Sequence, residues 1–357
     1  MTLPDSTDVL IVGGGLAGLR LADLLGAAGH DFQLIEARDR FGGRVLSHTV
    51  AGAAFDLGPA WFWPGQPRIA ALADRFGLFV FEQFANGAFR FEDSQGRIQQ
   101  GVGAGSMQGS FRLEGGISTL CDRLADSLDP ARCHLGAQVV SLSRTATGIA
   151  AQLSDGRSIA TQRVICALPP RIAATLAFSP ALPAPAAQAL QTIPTWMAGQ
   201  AKAIALYDTP FWRDAGLSGD AMSQRGPMVE IHDASPANGS IGALFGFIGV
   251  PPARRVDAKA LEGAVRAQLV RLFGEDAAQP REIKVKDWAF DPLTATNSDH
   301  APLTAHPRYG LPPALRTLWD GALLFGGTEV APEFGGFLEG ALEAAENTFD
   351  VLARARA

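Results

Sequence analysis

Between Val9 and Glu36 the chain reads as strand, glycine turn, helix, strand and acid, an order that few folds accept. Val9–Val12 is a short apolar run of the kind carried by a buried parallel strand. Gly13, Gly15 and Gly18 then form Gly-x-Gly-x-x-Gly at the turn into an apolar helix pattern. In such a turn the first glycine permits the tight bend and the second lets backbone approach a pyrophosphate. The third lets the helix pack close against the strand. The helix N-terminus presents unpaired N–H groups and a positive dipole end to the phosphates. A second strand, Phe32–Ile35, ends at Glu36, where a carboxylate meets a ribose hydroxyl pair. A lone glycine triplet also serves purely structural turns, but the complete βαβ order predicts dinucleotide binding. By itself it leaves FAD and NAD open.

A second glycine turn narrows the choice. Gly42-Gly43-Arg44 comes just after Glu36-Ala37-Arg38, giving two more close backbone approaches and a guanidinium placed to neutralise phosphate. At these residues the chain resembles the flavin-containing amine oxidase family. The resemblance recurs in Phe55-Asp-Leu-Gly-Pro-Ala-Trp, Leu113-Glu-Gly-Gly-Ile-Ser-Thr-Leu, Val164-Ile-Cys-Ala-Leu-Pro-Pro, Gln200-Ala-Lys-Ala-Ile-Ala-Leu-Tyr with Pro210-Phe-Trp-Arg, Leu323-Leu-Phe-Gly-Gly-Thr-Glu and Gly335-Gly-Phe-Leu-Glu-Gly-Ala. It implies an α/β chain: a Rossmann-like FAD-binding domain (GR2-type) with a second, sheet-containing substrate domain. It also implies a set of FAD contacts. These are Gly13, Gly15, Leu16, Ala17, Gly18, Glu36, Ala37, Arg38, Gly42, Gly43 and Arg44, then Gly58, Pro59, Ala60, Trp61 and Val139. Gly327, Thr328, Glu329, Gly336, Phe337, Leu338 and Ala341 complete it. The stretch Asn297–Leu303 lacks the cysteine that some family members bond to the flavin, so FAD is expected to be non-covalent.

Composition sets outer bounds. At 357 residues the chain can hold two domains sharing a large core. A net charge of −6 argues against nucleic acid or an anionic membrane as a main partner. The six histidines show no metal spacing, and the three cysteines form no C-x-x-C, which suits a reducing compartment. No apolar run reaches the roughly twenty residues of a membrane span. With a first strand starting almost at once, these features lead us to expect a soluble, cytoplasmic protein of open oligomeric state.

Residues 1–78, 112–191 and 296–357 are expected to build the FAD-binding domain, and 79–111 with 192–295 the substrate domain. Within these, helices are expected at Ile117–Leu128 and Ala258–Phe273, and strands at Gln138–Ser143, Ile149–Ser154, Ser158–Ile159, 201–207 and Ala243–Val250. Asp155-Gly156 is a hairpin signal. The last helix, starting near Gly336, repeats Leu338, Leu342, Ala345, Phe349 and Leu352 at helical spacing. Gly101–Gly109 is a glycine-rich connection or lid. Full-length amine oxidases carry a longer, mostly helical insertion between the positions of Leu78 and Leu113, so the wall that selects substrate is much reduced here.

Lys202 falls in strand register with Ile204 and Leu206, on an apolar face. An ammonium there is costly unless it meets water, a carboxylate or a cofactor, although an edge-strand lysine reaching solvent would read the same way. By resemblance Lys202 holds a water against flavin N5 and assists the reaction with dioxygen. Phe337 takes the position of one of two rings that orient the amine in the family. The other ring should lie in Asn297–Leu303, where Asn297, Asp299 and His300 are polar and none is aromatic. Trp61, Trp288 and Tyr309 are candidates for that ring, and Trp288 resembles a family tryptophan near the flavin. His300 is a candidate acid–base group. Phe62, Trp63, Trp196, Phe245 and Phe247 could line a pocket or fill a core. Glu329 resembles a cofactor-side acid, whereas Glu339 fits a simple dipole contact in the first turn of its helix. The expected chemistry is oxidation of a small amine with dioxygen as acceptor. The shared FAD motifs also fit a desaturase or dehydrogenase of an apolar substrate, or a non-catalytic FAD-binding subunit.

Overall fold

The structure, a computed structural model, describes residues 3–101, 107–301, 303 and 305–354. Residues 102–106, within the expected Gly101–Gly109 connection, and Pro302, within Asn297–Leu303, lie outside the described residues.

The first sheet runs Ala177–Ser179, Val139–Thr145, Gly148–Leu153, Ser158–Cys166, Ser6–Val12, Phe32–Ile35 and Cys133–His134, with Leu323–Phe325 also paired to Ser158–Cys166. Ser6–Val12 pairs in parallel with both Phe32–Ile35 and Ser158–Cys166, which is the pairing a βαβ unit demands. Ser158–Cys166 is one continuous strand where the sequence suggests two pieces. Its first half alternates exposed and buried beside an antiparallel hairpin partner, and its end is buried throughout between parallel neighbours. The change of partner changes the hydrophobic period from alternating to continuous. On one face of this sheet, helices Leu16–Ala27 and Leu338–Arg354 pack together.

The second sheet runs Glu282–Asp287, Ala201–Tyr207, Gly242–Ile248, Met228–Asp233, Leu217–Ser223, Ala88–Glu92 and Ile98–Gly101. Ala201–Tyr207 is therefore interior, buried at every position, and Lys202 is not an edge lysine. One face, with Ala201, Ala203 and Ala205, packs on helix Ala258–Phe273. The other, with Ile204, Leu206, Ala243 and Phe245, packs on Phe55, Leu57 and Trp61. The short bridge after Leu78 supplies two strands at the edge of this sheet, Ala88–Glu92 and Ile98–Gly101.

The last helix starts at Leu338, because Gly336 stands at φ +83°, outside helical space. Glu339 does more than complement its own helix. Its fully buried carboxylate accepts from Arg68 N and Ile69 N, both at 3.0 Å, and so caps the N-terminus of the neighbouring Pro67–Arg75 helix. Among the described residues, no helix is long and apolar enough to cross a membrane.

Candidate active site

The three fingerprint glycines have separate jobs. A Cβ on Gly18 would stand 1.9 Å from Gly13 O, and one on Gly13 would stand 2.7 Å from Ala167 O. Neither position has room for a side chain. Gly15 is different: among the described residues beyond its chain neighbours, a Cβ there would meet only Gly42 O, at 3.9 Å, so its outer side is open. Gly15 is also the cap residue of helix Leu16–Ala27, and no side chain caps it among the described residues. Its free N–H groups suit a pyrophosphate. Leu16 and Ala17 are buried in the first turn behind it.

Gly42 bridges to Gly15, and Gly42 and Gly43 hold φ +100° and +57°. Arg40 fastens this turn, its guanidinium donating to Phe41 O and Val45 O at 3.0 Å and to Gly43 O at 2.8 Å. Glu36 sits buried at the strand end and accepts from Gly14 N and Arg38 N, both at 2.8 Å. These bonds fix the carboxylate and leave its remaining lone pairs for a ribose. Arg38 itself turns to Asp291, at 2.7 Å, and Thr294, at 3.0 Å, holding the Glu36-Ala37-Arg38 segment against the second sheet's trailing loop. The open Gly15 face and the uncapped helix fit FAD.

Arg44, expected at a phosphate, meets an acid in the structure. It forms a two-pronged ion pair with Glu329, at 2.6 and 3.2 Å. Burial would lower the guanidinium pKa, but the Glu329 carboxylate holds it above its ordinary value. Gly58 packs under this region, where a Cβ would come within 2.1 Å of Arg44 O. In the C-terminal motif Gly327 lies close to Leu168 O, and the Thr328 hydroxyl joins Gly336 N at 3.0 Å to Phe337 O at 2.9 Å. Leu338 and Ala341 are buried behind that loop, and Val139 is buried at the start of its strand.

Lys202 is 5% exposed. Its ammonium donates to Gly58 O and faces Phe247, Phe245 and Trp61 at 4.9, 5.0 and 5.7 Å from the ring centres. Burial lowers its pKa to about 8, against an upward pull from Asp56. Burial likewise raises Asp56 to about 6, although Ser47, Arg112, Ile117 N–H and Lys202 all favour its charged form. Both groups therefore sit near the protonation boundary at neutral pH. Trp61 is fixed by its indole N–H to Gln83 Oε1, at 2.8 Å, and Trp288 by its indole N–H to Leu57 O, at 2.9 Å. The sequence-predicted Lys202, Gly58, Trp61 and Trp288 thus meet along residues 57–61, with Pro59 and Ala60 between them.

Other predicted residues are placed elsewhere. Asp299 is a structural acid: it closes a capping box with Thr296 and pairs with Arg171 at 2.6 Å. The His300 ring is tied to Ala289 O at 3.0 Å and stands edge-on to Phe290. Phe337 stacks face to face on His306, with centroids 4.7 Å apart and planes 10° apart, and Trp196 and Tyr309 contact the same imidazole. His306 escapes a sequence reading because it lies in a proline-rich join beyond Asn297–Leu303. Phe245 and Phe247 line the lysine site, while Phe62 packs on Phe111 in the other core. Equally hidden in the sequence is His232, whose two ring nitrogens meet Asp220 at 2.8 Å and Glu230 at 2.9 Å. The alternation Glu230-x-His232 places both on one strand face, but nothing local shows which face.

Comparison with known proteins agrees with this geometry. Residues 102–350 match the family model for flavin containing amine oxidoreductases, and residues 11–76 match that for NAD(P)-binding Rossmann-like domains. A protein of Dictyostelium discoideum ascribed to the flavin-containing monoamine oxidases is 24% identical, over 94% of this chain and 95% of its own length. That alignment runs over 443 positions, more than the 357 residues of this chain, so the relative carries segments this chain lacks. The putrescine oxidase of Kocuria rosea is 23% identical over 76% of this chain and 80% of its own. The solved structure of a wild-type putrescine oxidase bound to putrescine superposes with a TM-score of 0.82 at 23% identity, covering 98% of this chain and 99% of that one, and so shares the fold. The chain belongs to the flavin containing amine oxidoreductases. It is an FAD-dependent, amine oxidase-like oxidoreductase.

Proposed function

We propose that this protein oxidises a small amine at the carbon bearing nitrogen, with dioxygen as the final acceptor, yielding an imine that hydrolyses to a carbonyl compound. FAD, when bound, supplies the hydride acceptor at N5 and passes the electrons on to dioxygen, giving hydrogen peroxide. The observation that carries this reading is Lys202, a buried ammonium that donates to the Gly58 carbonyl inside an aromatic wall. With a pKa near 8, its Nζ can hold a water and give or take a proton at neutral pH. Trp61, Phe245 and Phe247 form an apolar surround that favours a neutral amine over its ammonium form. The cysteines lie in helix Ser118–Asp126, at Cys133 and at the end of Ser158–Cys166, two of them buried, which supports non-covalent FAD.

The test is anaerobic mixing of the FAD-loaded protein with primary, secondary and polyamines while the visible flavin band is followed. Fast bleaching by one amine class is the expected result. Bleaching by none of them would overturn the reading.

A further inference from the structure

Arg38 stands between two carboxylates that belong to different sheets. Glu36 follows strand Phe32–Ile35 of the first sheet and is the ribose acid of the fingerprint. Asp291 belongs to the loop that follows Glu282–Asp287 in the second sheet. One guanidinium nitrogen of Arg38 donates to Asp291 Oδ1 at 2.7 Å and to Thr294 Oγ1 at 3.0 Å. Another lies 3.6 Å from Glu36 Oε1, just beyond hydrogen-bond reach. A short movement of the side chain would therefore exchange one acid for the other.

The acid that Arg38 takes decides what Glu36 can offer. A carboxylate has about four lone-pair sites. Gly14 N uses one on Oε2 and Arg38 N one on Oε1, each at 2.8 Å, which leaves about two. Those match the pair of ribose hydroxyls. A guanidinium fork prefers both oxygens of a carboxylate at once, so Arg38 seated on Glu36 would take the sites that ribose needs. Asp291 is built to hold Arg38 away. Its Oδ2 accepts from Lys286 Nζ at 2.7 Å and its Oδ1 also accepts from Leu293 N at 3.1 Å, which fixes the carboxylate in place. Burial would raise its pKa, but Lys286 and Arg38 hold it below the ordinary value, so it is charged at neutral pH. Arg40, the neighbouring guanidinium, does not compete for Glu36, because it is spent on the carbonyls of Phe41, Gly43 and Val45.

We propose that Asp291 is a positioning residue for the cofactor site: it draws the Arg38 guanidinium off Glu36 and so keeps the Glu36 carboxylate open to the ribose of FAD. A loop of the second sheet thereby sets the cofactor affinity of the first. Asp291 acts through Arg38 rather than on FAD itself. This role lies outside amine oxidation and rests on Glu36 as the ribose acid.

The test is the FAD affinity of the full-length apoprotein, read from the fluorescence of free flavin during titration. In Asp291→Asn, which keeps shape and loses charge, FAD should bind about 10- to 100-fold more weakly, the worth of hydrogen bonds to a charged acceptor. Adding Arg38→Met to that variant should tighten FAD binding at least roughly threefold, because the guanidinium that had moved onto Glu36 is gone. A merely structural Asp291 predicts the reverse, since a second lesion would leave binding equal or weaker. Parent-like affinity in Asp291→Asn overturns the proposal, and so does a double variant that binds no tighter than the single one. Glu36→Gln should weaken FAD binding in the parent; if it does not, Glu36 is not the ribose acid and the proposal falls with that premise. If Asp291→Asn shows no cooperative melt, Thr294→Val, which removes the other acceptor of Arg38, carries the same comparison with and without Arg38→Met. No amine is added, so every outcome is independent of whether the protein oxidises one.

Discussion

Arg44 and Glu329, 285 residues apart in the chain, form a two-pronged ion pair at 2.6 and 3.2 Å that ties the second glycine turn to the C-terminal flavin motif. The Glu329 side chain is fully buried and that of Arg44 keeps 26% exposure. Removing one partner of such a pair leaves the other as an uncompensated charge, costing about 3 kcal/mol, the low end for buried pairs because Arg44 is partly hydrated. Glu329→Gln should lower stability by that amount in urea melts. Adding Arg44→Met should recover part of it, and additive losses in the double-mutant cycle would show the pair to be uncoupled.

Lys202 gives a stability effect of opposite sign. Its pKa is about 8 in the folded chain, against 10.5 for a freely hydrated lysine. Between those pH values the unfolded chain binds more protons, so stability rises with pH across the window, and the burden is greatest below pH 8. The gap corresponds to about 3 kcal/mol. Lys202→Met should therefore make the protein more stable at pH 7 by up to about 3 kcal/mol, with the gain fading as pH approaches 10.5. Melts at about pH 7 and about pH 10 check this, and an equal gain at both would assign it to packing. The same variant should slow reoxidation of the reduced flavin by dioxygen.

Asp56 sets where Lys202 titrates. Its carboxylate is the group that raises the Lys202 pKa against burial. Asp56→Asn removes that charge, so the Lys202 pKa should fall further below 8. The limb of the pH–rate profile for flavin reoxidation that belongs to Lys202 should move to lower pH, with its plateau retained. A limb that stays in place would mean that the two groups do not communicate.

The parts of this architecture written in local sequence are legible in it. Strand 201–207 and helix Ala258–Phe273 fall where the pattern puts them, since their ends are marked by Pro210, by the Asp257 cap and by Gly274 at φ +90°. The fingerprint turn is equally readable, because its glycines answer to backbone geometry within one βαβ unit. The cluster around His232 is not. Asp220, Glu230 and His232 come from two neighbouring strands, and only the sheet register puts them together on one face. The stack of His306 on Phe337 is hidden for the same reason: loop conformations, not spacing, bring the rings together. Residues 79–111 read in sequence as a shortened insertion, and their strands become visible only with the sheet that accepts them.

Gly15 and Gly18 separate binding from folding within one motif. A Cβ on Gly18 would stand 1.9 Å from Gly13 O, a backbone clash that no rotamer relieves, so Gly18→Ala must push the helix off the strand. Gly15 has φ −72°, which alanine adopts without strain, and among the described residues beyond its chain neighbours no atom lies closer than 3.9 Å to the added carbon. The new methyl group points into the space where a pyrophosphate would approach the helix N-terminus. Gly15→Ala should thus melt within about 1 kcal/mol of the parent as apoprotein, as alanine is compatible with this backbone. Its FAD affinity should fall at least roughly tenfold, read by fluorescence titration of free flavin. Gly18→Ala should lose stability in the apoprotein melt as well. If Gly15→Ala bound FAD as tightly as the parent, the open side of Gly15 would not be the phosphate face, and the fingerprint would be serving the fold alone.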